Sequence, residues 1–468
     1  MIKTNSILVD TDSYKVSMYL QYPQKSQYVY SHVLSRGGVW DKTLFFNLQS
    51  FIKEILLTKI TQEEIDFADK FWTSHGEPFN RAGWQYILDT HNGYLPVEIH
   101  SLDEGTVVNT GTVLATIVNT DPNVPWLTTW LETPILRSIW YGTTVATQSW
   151  NIKQVIKSYL EVSGSPESIY FKLHDFGSRG VSSNESAVHG AMAHLINFKG
   201  TDTAIGILGA HQYYDADIFS TAFSIPASEH STITSWGKDK EALAYENMVN
   251  QFSKEGSVFA VVSDSYDIFH AVDYIWGKQL ANLVREKKGT LVIRPDSGDP
   301  LEVIPKLLHS LEKNFGVTIN NKGYKVLNNV RIIWGDGINL ISIQSILRTC
   351  VTLLNFSADN LAFGMGGALL QIVNRDTQKF AMKCSAIAIE NDNGEVVWQD
   401  VFKDPITDTS KTSLKGRFMV VIDENKEYVN IPYNEDQIPL NQLKLRYSNG
   451  NIFNTQKFEE IRSISEQF

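Results

Sequence analysis

Cysteine is nearly absent. Only Cys350 and Cys384 occur in 468 residues, too few for a disulfide framework and not at a spacing that ligates a metal; the expectation is two reduced thiols in a cytoplasmic protein. Basic charge is also in short supply, with 41 Lys and Arg against 52 Asp and Glu and a net charge of −11. That excludes broad electrostatic binding to nucleic acid while leaving room for a small basic pocket. No run approaches the ~18 uninterrupted apolar residues of a membrane span, and the stretch Met1 to Asp10 lacks the apolar core of a signal peptide. No low-complexity linker separates parts of the chain. What is present is 43% hydrophobic and 20% charged residues, enough for a full core and for two domains, or for one barrel with additions.

In chain order, Thr61-x-x-Glu64 is a capping box followed by Ile65, Ala68, Phe71 and Trp72 at helical spacing. Residues 96–118 change period and read as short strands, with Gly105 and Gly111 as turns. A Trp-rich helical region from Trp126 to Trp150 continues to Leu160 and stops at Gly164. At the C-terminal end, Ala386 to Ile389 turns through Asn393-Gly394 into Val396 to Val401, and Leu443 to Tyr447 turns at Asn449-Gly450, so two hairpins are expected. These strands are expected to join the N-terminal layer, making one α+β domain of residues 1–165 and 385–468 that is discontinuous in sequence.

Between them, from about residue 166 to 384, a short apolar run leads repeatedly into an acidic or glycine loop and then a helical stretch. Asp175, Asp202, His230, Asp264, Asp296, Asp336 and Gly366 mark the loops, roughly 27 to 40 residues apart. A (β/α) barrel of about 250 residues spends about 31 on each of eight units. An open doubly wound sheet has similar spacing, and the pattern fits both. In either, the chemistry-bearing residues stand at the carboxyl ends of the strands, where active sites are built.

Each loop has a chemical reading and a plain one. His230, among small hydroxyl residues, can carry a transferred group, or it is a first-turn residue behind an N-cap at Ser228 or Ser231. Gly364-Met365-Gly366-Gly367 offers bare amides to a phosphate, or is a tight turn. Gly335-Asp336-Gly337 fits the same pocket, with the carboxylate on ribose hydroxyls. Arg294 and Asp296, on the stiff turn Arg294-Pro295-Asp296-Ser297-Gly298, suit a phosphate or amide carbonyl and Mg²⁺, or pair with each other to brace the loop. Asp264 and Asp267 share that metal, orient His230, or cap the next helix. Phe176 and Arg179 place a flat ring beside a phosphate, or Phe176 is core.

Taken together, Thr11-Asp12-Ser13-Tyr14-Lys15, His174-Asp175-Phe176-Gly177, Asn197-Phe198-Lys199-Gly200-Thr201-Asp202-Thr203, Pro226-Ala227-Ser228-Glu229-His230-Ser231-Thr232, Ser263-Asp264-Ser265-Tyr266-Asp267, Arg294-Pro295-Asp296-Ser297-Gly298, Gly335-Asp336-Gly337 and Gly366-Gly367 closely resemble the nicotinamide phosphoribosyltransferase family over almost the whole length. The resemblance implies an α/β fold of the type II phosphoribosyltransferase kind, an irregular (β/α) barrel with a discontinuous α+β layer domain. It also implies a homodimer with sites at the interface, and transfer of phosphoribosyl from phosphoribosyl pyrophosphate to nicotinamide with Mg²⁺. ATP hydrolysis is coupled in that family through a phosphohistidine.

Carried over to this sequence, the resemblance makes His230 the phosphate acceptor and puts Asp296 and Asp267 on Mg²⁺. Phe176 and the partner subunit's Tyr14 sandwich the pyridine ring, Asp202 accepts the carboxamide N–H, and Arg294 contacts the carboxamide oxygen or the pyrophosphate. Arg179 lines the pyrophosphate; Gly335 and Asp336 hold the ribose; Gly366, Gly367 and Arg375 hold the 5′-phosphate. Lys383 and Lys415 lie near the phosphates, and Asp12 and Ser263 complete the substrate set. Ser178 stands where the family often has tyrosine and Met365 where it often has a small residue, which bears on pocket shape. A nicotinate-specific enzyme of the same fold and a catalytically silent ligand sensor are the alternative readings.

Overall fold

The computed structural model describes residues 4–407 and 413–468; Met1 to Lys3, part of the N-terminal stretch read above, lie outside it. The chain divides into two compact units, Met1–Thr147 with Gly209–Ala216 and Asn374–Phe468, and Gln148–Leu208 with Asp217–Val373. The boundaries differ from 165 and 385 for local reasons. Helix Glu132–Ser163 runs unbroken through the first division, and residues 209–216 belong with the first unit because the Tyr213 carbonyl accepts from Gln49 and the Tyr214 hydroxyl donates to the buried Glu104 carboxylate.

In the first unit a seven-stranded sheet runs in the order Val396–Asp400, Phe380–Glu390, Ser26–Ser35, Val113–Asn119, Val97–Ser101, Lys444–Ser448, Asn451–Ile452. Both expected C-terminal hairpins are in it. The second turns at Asn449 and Gly450 with φ of 50° and 85°, the left-handed pair that matches strand twist. Helix Gln62–His75 begins at the Thr61/Glu64 capping box and buries Ile65, Ala68 and Trp72. Phe71, expected on that face, is turned outward and stacks between Phe67 and His75. Trp72, Trp84, Trp126 and Trp130 meet edge to face. The indole N–H groups of Trp72 and Trp130 reach the carbonyls of Leu8 and Ile7, so the core that these rings fill also pins the N-terminal segment.

The second unit holds a parallel sheet of six strands: β1 Leu173–Asp175, β2 Gly200–Thr201, β3 Val258–Val262, β4 Thr290–Arg294, β5 Val330–Trp334 and β6 Leu361–Met365, in the order β2-β1-β6-β5-β4-β3. Residues 223–228 join its two edges. Phe223 exchanges backbone hydrogen bonds with the β2 edge, and Pro226 and Ser228 do so with Ala260 of β3. Val262 N–H also donates to the Ser228 hydroxyl at 2.9 Å. The sheet therefore closes into an irregular barrel, which settles the choice that spacing left open. Its interior at this level is a small apolar cluster of Ala260, Val292 and Ile333 with Phe176, Ile225 and Ala362.

Among the described residues no helix is long and apolar enough to cross a membrane.

Candidate active site

Each of the seven marker residues stands at or just beyond the carboxyl end of a strand or of the closing segment, so the barrel gathers their loops on one face. The platform of that face is the ring of Phe176. It lies across the backbone of β6, where a Cβ on Gly364 would stand 1.9 Å from it, and against Gly335, where one would stand 3.2 Å away. Phe176 is held there by its N–H to the Met365 carbonyl and by the turn that follows. Asp175, fully buried, braces that turn: one oxygen accepts from Gly177 N–H at 2.7 Å and the other from the Thr201 hydroxyl at 3.0 Å. Burial pushes its carboxyl up, against those hydrogen bonds.

The His174 ring lies 5.3 Å from that of Phe176, and against it sits Asp202, whose side chain is 50% exposed. Its Oδ1 takes hydrogen bonds from His174 Nε2 at 2.9 Å and from the Ser224 hydroxyl at 2.6 Å. Burial pulls its carboxyl upward, but the hydrogen bonds from His174 and Ser224 and the charges of His174 and Arg294 prevail and hold it below the ordinary carboxylate range. Arg294 ends β4, and its buried Nε has no hydrogen-bond partner among the described residues.

His230 opens helix His230–Thr234, and its Nε2 lies 3.0 Å from Asp264 Oδ1. The nearly buried Asp264 is itself anchored, since Oδ2 accepts from Asp296 N–H at 3.0 Å and the Ser297 hydroxyl at 2.6 Å. Asp264 thus orients His230. The N-cap is Glu229, not Ser228 or Ser231, because the Ser228 hydroxyl is buried against β3 and Ser231 donates to the Glu229 carboxylate. Asp267 caps the next helix, Oδ1 accepting from Phe269 and His270 N–H. No described residue hydrogen-bonds the Asp296 carboxylate, and no group of three or more His, Cys, Asp or Glu among the described residues is arranged to hold a metal by itself.

Ser263 is fully buried, its hydroxyl donating to the Val261 carbonyl and accepting from Trp276. This accounts for its position without a ligand. The Gly335–Gly337 loop is tied by Trp334 Nε1 to the Asp336 carbonyl at 2.7 Å, with the Asp336 side chain exposed. Met365 is buried as the last residue of β6, and the helix after Gly366 is only Gly367–Leu370. A phosphate there would meet loop amides more than a helix dipole. The exposed Arg179 lies on the turn whose Gly180 packs against Gly367.

The other candidate residues belong to the first unit. Asp12 accepts from the Thr133 hydroxyl, Ser13 bonds His75, and the buried Lys15 pairs with Glu132 at 2.6 Å, while Tyr14 is presented outward, 59% exposed. Arg375 pairs with Asp376, Lys383 stands opposite His32 in the sheet, and Lys415 lies over the Phe402 ring. Burial lowers the Lys383 ammonium from its ordinary range. Sequence reasoning assigned nothing to His174, Ser224 or Ser297. The available signal was the i, i+2 relation of His174 in β1 to Phe176 just past its end.

Residues 171–451 match the nicotinate phosphoribosyltransferase (NAPRTase) family, and residues 6–99 match the N-terminal domain of nicotinamide phosphoribosyltransferase. A nicotinamide phosphoribosyltransferase of Xanthomonas campestris is 50% identical over 421 residues, covering 90% of this chain and 88% of that protein. One of Mycoplasma pneumoniae is 34% identical over 450 residues, covering 88% and 95%. Among solved structures, a nicotinate-nucleotide pyrophosphorylase from Pyrococcus furiosus aligns over 100% of this chain and 96% of its own, with a TM-score of 0.61 at 17% identity. Human nicotinic acid phosphoribosyltransferase aligns over 98% and 93%, with 0.54 at 15%. At such identities these two speak for the fold alone. The chain therefore belongs to the nicotinate phosphoribosyltransferase family and, within it, to the nicotinamide phosphoribosyltransferases, pentosyltransferases of the type II fold.

Proposed function

We propose that this protein transfers phosphoribosyl from phosphoribosyl pyrophosphate to nicotinamide, releasing pyrophosphate and nicotinamide mononucleotide, and couples ATP hydrolysis to the transfer through His230. The observation that carries the choice of substrate is the ionised Asp202, bonded to the His174 whose ring lies 5.3 Å from that of Phe176. A carboxylate there accepts from an amide N–H and repels the carboxylate of nicotinate. The Arg294 guanidinium, whose charge acts on Asp202, supplies the complementary donor.

The pyridine nitrogen carries no proton, so its attack on the anomeric carbon needs no general base. The task is to stabilise an oxocarbenium-like centre and a departing pyrophosphate. Arg179, Arg294 and the amides of the Gly335 and Gly366 loops suit it. Mg²⁺ at such sites is held by one or two carboxylates and by substrate phosphates. The unpartnered Asp296 and the second oxygen of Asp267 fit an ion of that kind, and it would supply positive charge against the pyrophosphate.

For His230, donation from Nε2–H to Asp264 leaves the Nδ1 lone pair as the nucleophile. Nδ1 attacks the terminal phosphorus of ATP, the bond to the bridging oxygen breaks, ADP leaves, and water later cleaves the N–P bond. The exposed Tyr14 fits a homodimer in which each chain completes its partner's ring pocket. Mixed dimers of Tyr14→Ala and His230→Ala chains would then recover activity, and their failure to do so would count against shared sites. Two free cysteines fit a reducing compartment such as the cytoplasm.

Initial rates of the purified protein on nicotinamide and nicotinate test the reading. Nicotinamide is preferred, and Asp202→Asn lowers that preference by about tenfold, about 1.4 kcal/mol. A wild-type preference for nicotinate defeats the proposal.

A further inference from the structure

His174 links the ring platform to the carboxylate that reads the amide. In β1 it stands two residues before Phe176, on the same side of the strand, with the two rings 5.3 Å apart. Its cross-strand neighbours on both sides are glycines, Gly200 of β2 and Gly364 of β6. A Cβ on Gly200 would stand 2.6 Å from His174 Nδ1, and one on Gly364 would collide with Phe176. The two bare positions let the imidazole lean along β2 until Nε2 reaches Asp202 Oδ1 at 2.9 Å. Ser224, from the segment that closes the barrel, donates to the same oxygen at 2.6 Å. No described residue donates to Oδ2. Two protein donors therefore converge on one oxygen and leave the other for a ligand.

We propose that His174 is a positioning residue that sets the choice between a carboxamide and a carboxylate substrate, by fixing Asp202 with Oδ1 toward itself and Ser224 and Oδ2 toward the ligand. This rests on the reading of Asp202 given under Proposed function. Without His174, Asp202 keeps a single donor on Oδ1, turns about its terminal torsion, and loses a hydrogen bond that favours its ionised form. A carboxyl that protonates can donate to a carboxylate, so rejection of nicotinate weakens as acceptance of nicotinamide falls.

Steady-state kinetics of the whole enzyme on nicotinamide and on nicotinate decide it, comparing wild type with His174→Leu, His174→Gln and Ser224→Ala. His174→Leu fills similar space without a donor and lowers the kcat/KM ratio of nicotinamide to nicotinate about tenfold, chiefly through the KM of nicotinamide, with the KM of phosphoribosyl pyrophosphate unchanged. His174→Gln restores an N–H and recovers most of the ratio, and Ser224→Ala lowers it in the same direction. Should His174→Leu not fold, His174→Asn, whose amide is too short to reach Asp202, takes its place. A variant lacking the donor that melts like wild type and keeps the wild-type ratio overturns the proposal. So does one in which the KM for phosphoribosyl pyrophosphate rises in step, since that is a purely structural role. A wild type that prefers nicotinate defeats the functional reading itself, and that result is separate from any change between variants.

Discussion

Phe176 owes its position to what is missing beneath it. The ring occupies the volume that a Cβ on Gly364 would need, and the fixed strand backbone on either side gives neither group room to retreat. Gly364→Ala adds one methyl and displaces the ring, at a strain of about 1–3 kcal/mol. The KM for nicotinamide rises about tenfold or more while that for phosphoribosyl pyrophosphate moves little; equal effects on both, or none, would show that Phe176 is not the ring platform. Residues of this kind mark how far the site was legible in the sequence. The gathering of Phe176, Asp202, His230, Arg294 and Asp296 on one face was legible because each lies at or just after an apolar run, and strand ends converge wherever the strands are parallel. Ser263 and Asp267 looked the same in sequence, yet the Ser263 hydroxyl and one oxygen of Asp267 are engaged by the protein itself, because a hydroxyl or carboxylate after a strand serves backbone N–H and carbonyl groups as readily as a ligand. Which one it serves depends on where the next helix starts. His174 went unread because its partner Asp202 belongs to the neighbouring strand's loop, a relation that only the register supplies.

At the scale of elements, closure of the barrel depends on residues 223–228, which form no regular strand. Ser228 is the tightest stitch, its buried hydroxyl accepting the N–H of Val262 as its own N–H donates to Ala260. Ser228→Ala leaves a buried donor unmet at a cost of about 1–3 kcal/mol. The urea midpoint falls accordingly, with the slope of the transition kept; an unchanged midpoint would mean that the segment is not held as described. Sequence periodicity found the parallel strands, because Val258–Val262 and Val330–Trp334 are buried on both faces and read as short apolar runs. It found the Asn449-Gly450 hairpin from the turn residues themselves. It left the sheet open or closed, because Ser-Ile-Pro-Ala-Ser is apolar enough for neither answer and its pairing is made by single bridges.

For the whole molecule, stability is tied to pH through a buried histidine of the first unit. His32, buried in an interior strand of the seven-stranded sheet, is held down from 6.5 to about 4, first by burial and then by the charge of Lys383. Its neutral ring is bonded to Ser385 through Nδ1. Between pH 6.5 and 4 the unfolded chain takes up a proton that the folded chain refuses, so stability is full above this window and declines as pH falls through it. The melting temperature therefore drops across that range, and His32→Gln flattens the drop; an equal slope in the variant would remove His32 as a cause. The function proposed for the molecule as a whole is transfer to nicotinamide driven through a phosphorylated His230. The most direct measurement incubates wild type and His230→Ala with nicotinamide, phosphoribosyl pyrophosphate, Mg²⁺ and γ-labelled ATP, following mononucleotide and protein-bound phosphate together. The account predicts label on the wild type alone, with slow ATP-independent synthesis left in the variant. Label that persists on His230→Ala would contradict it.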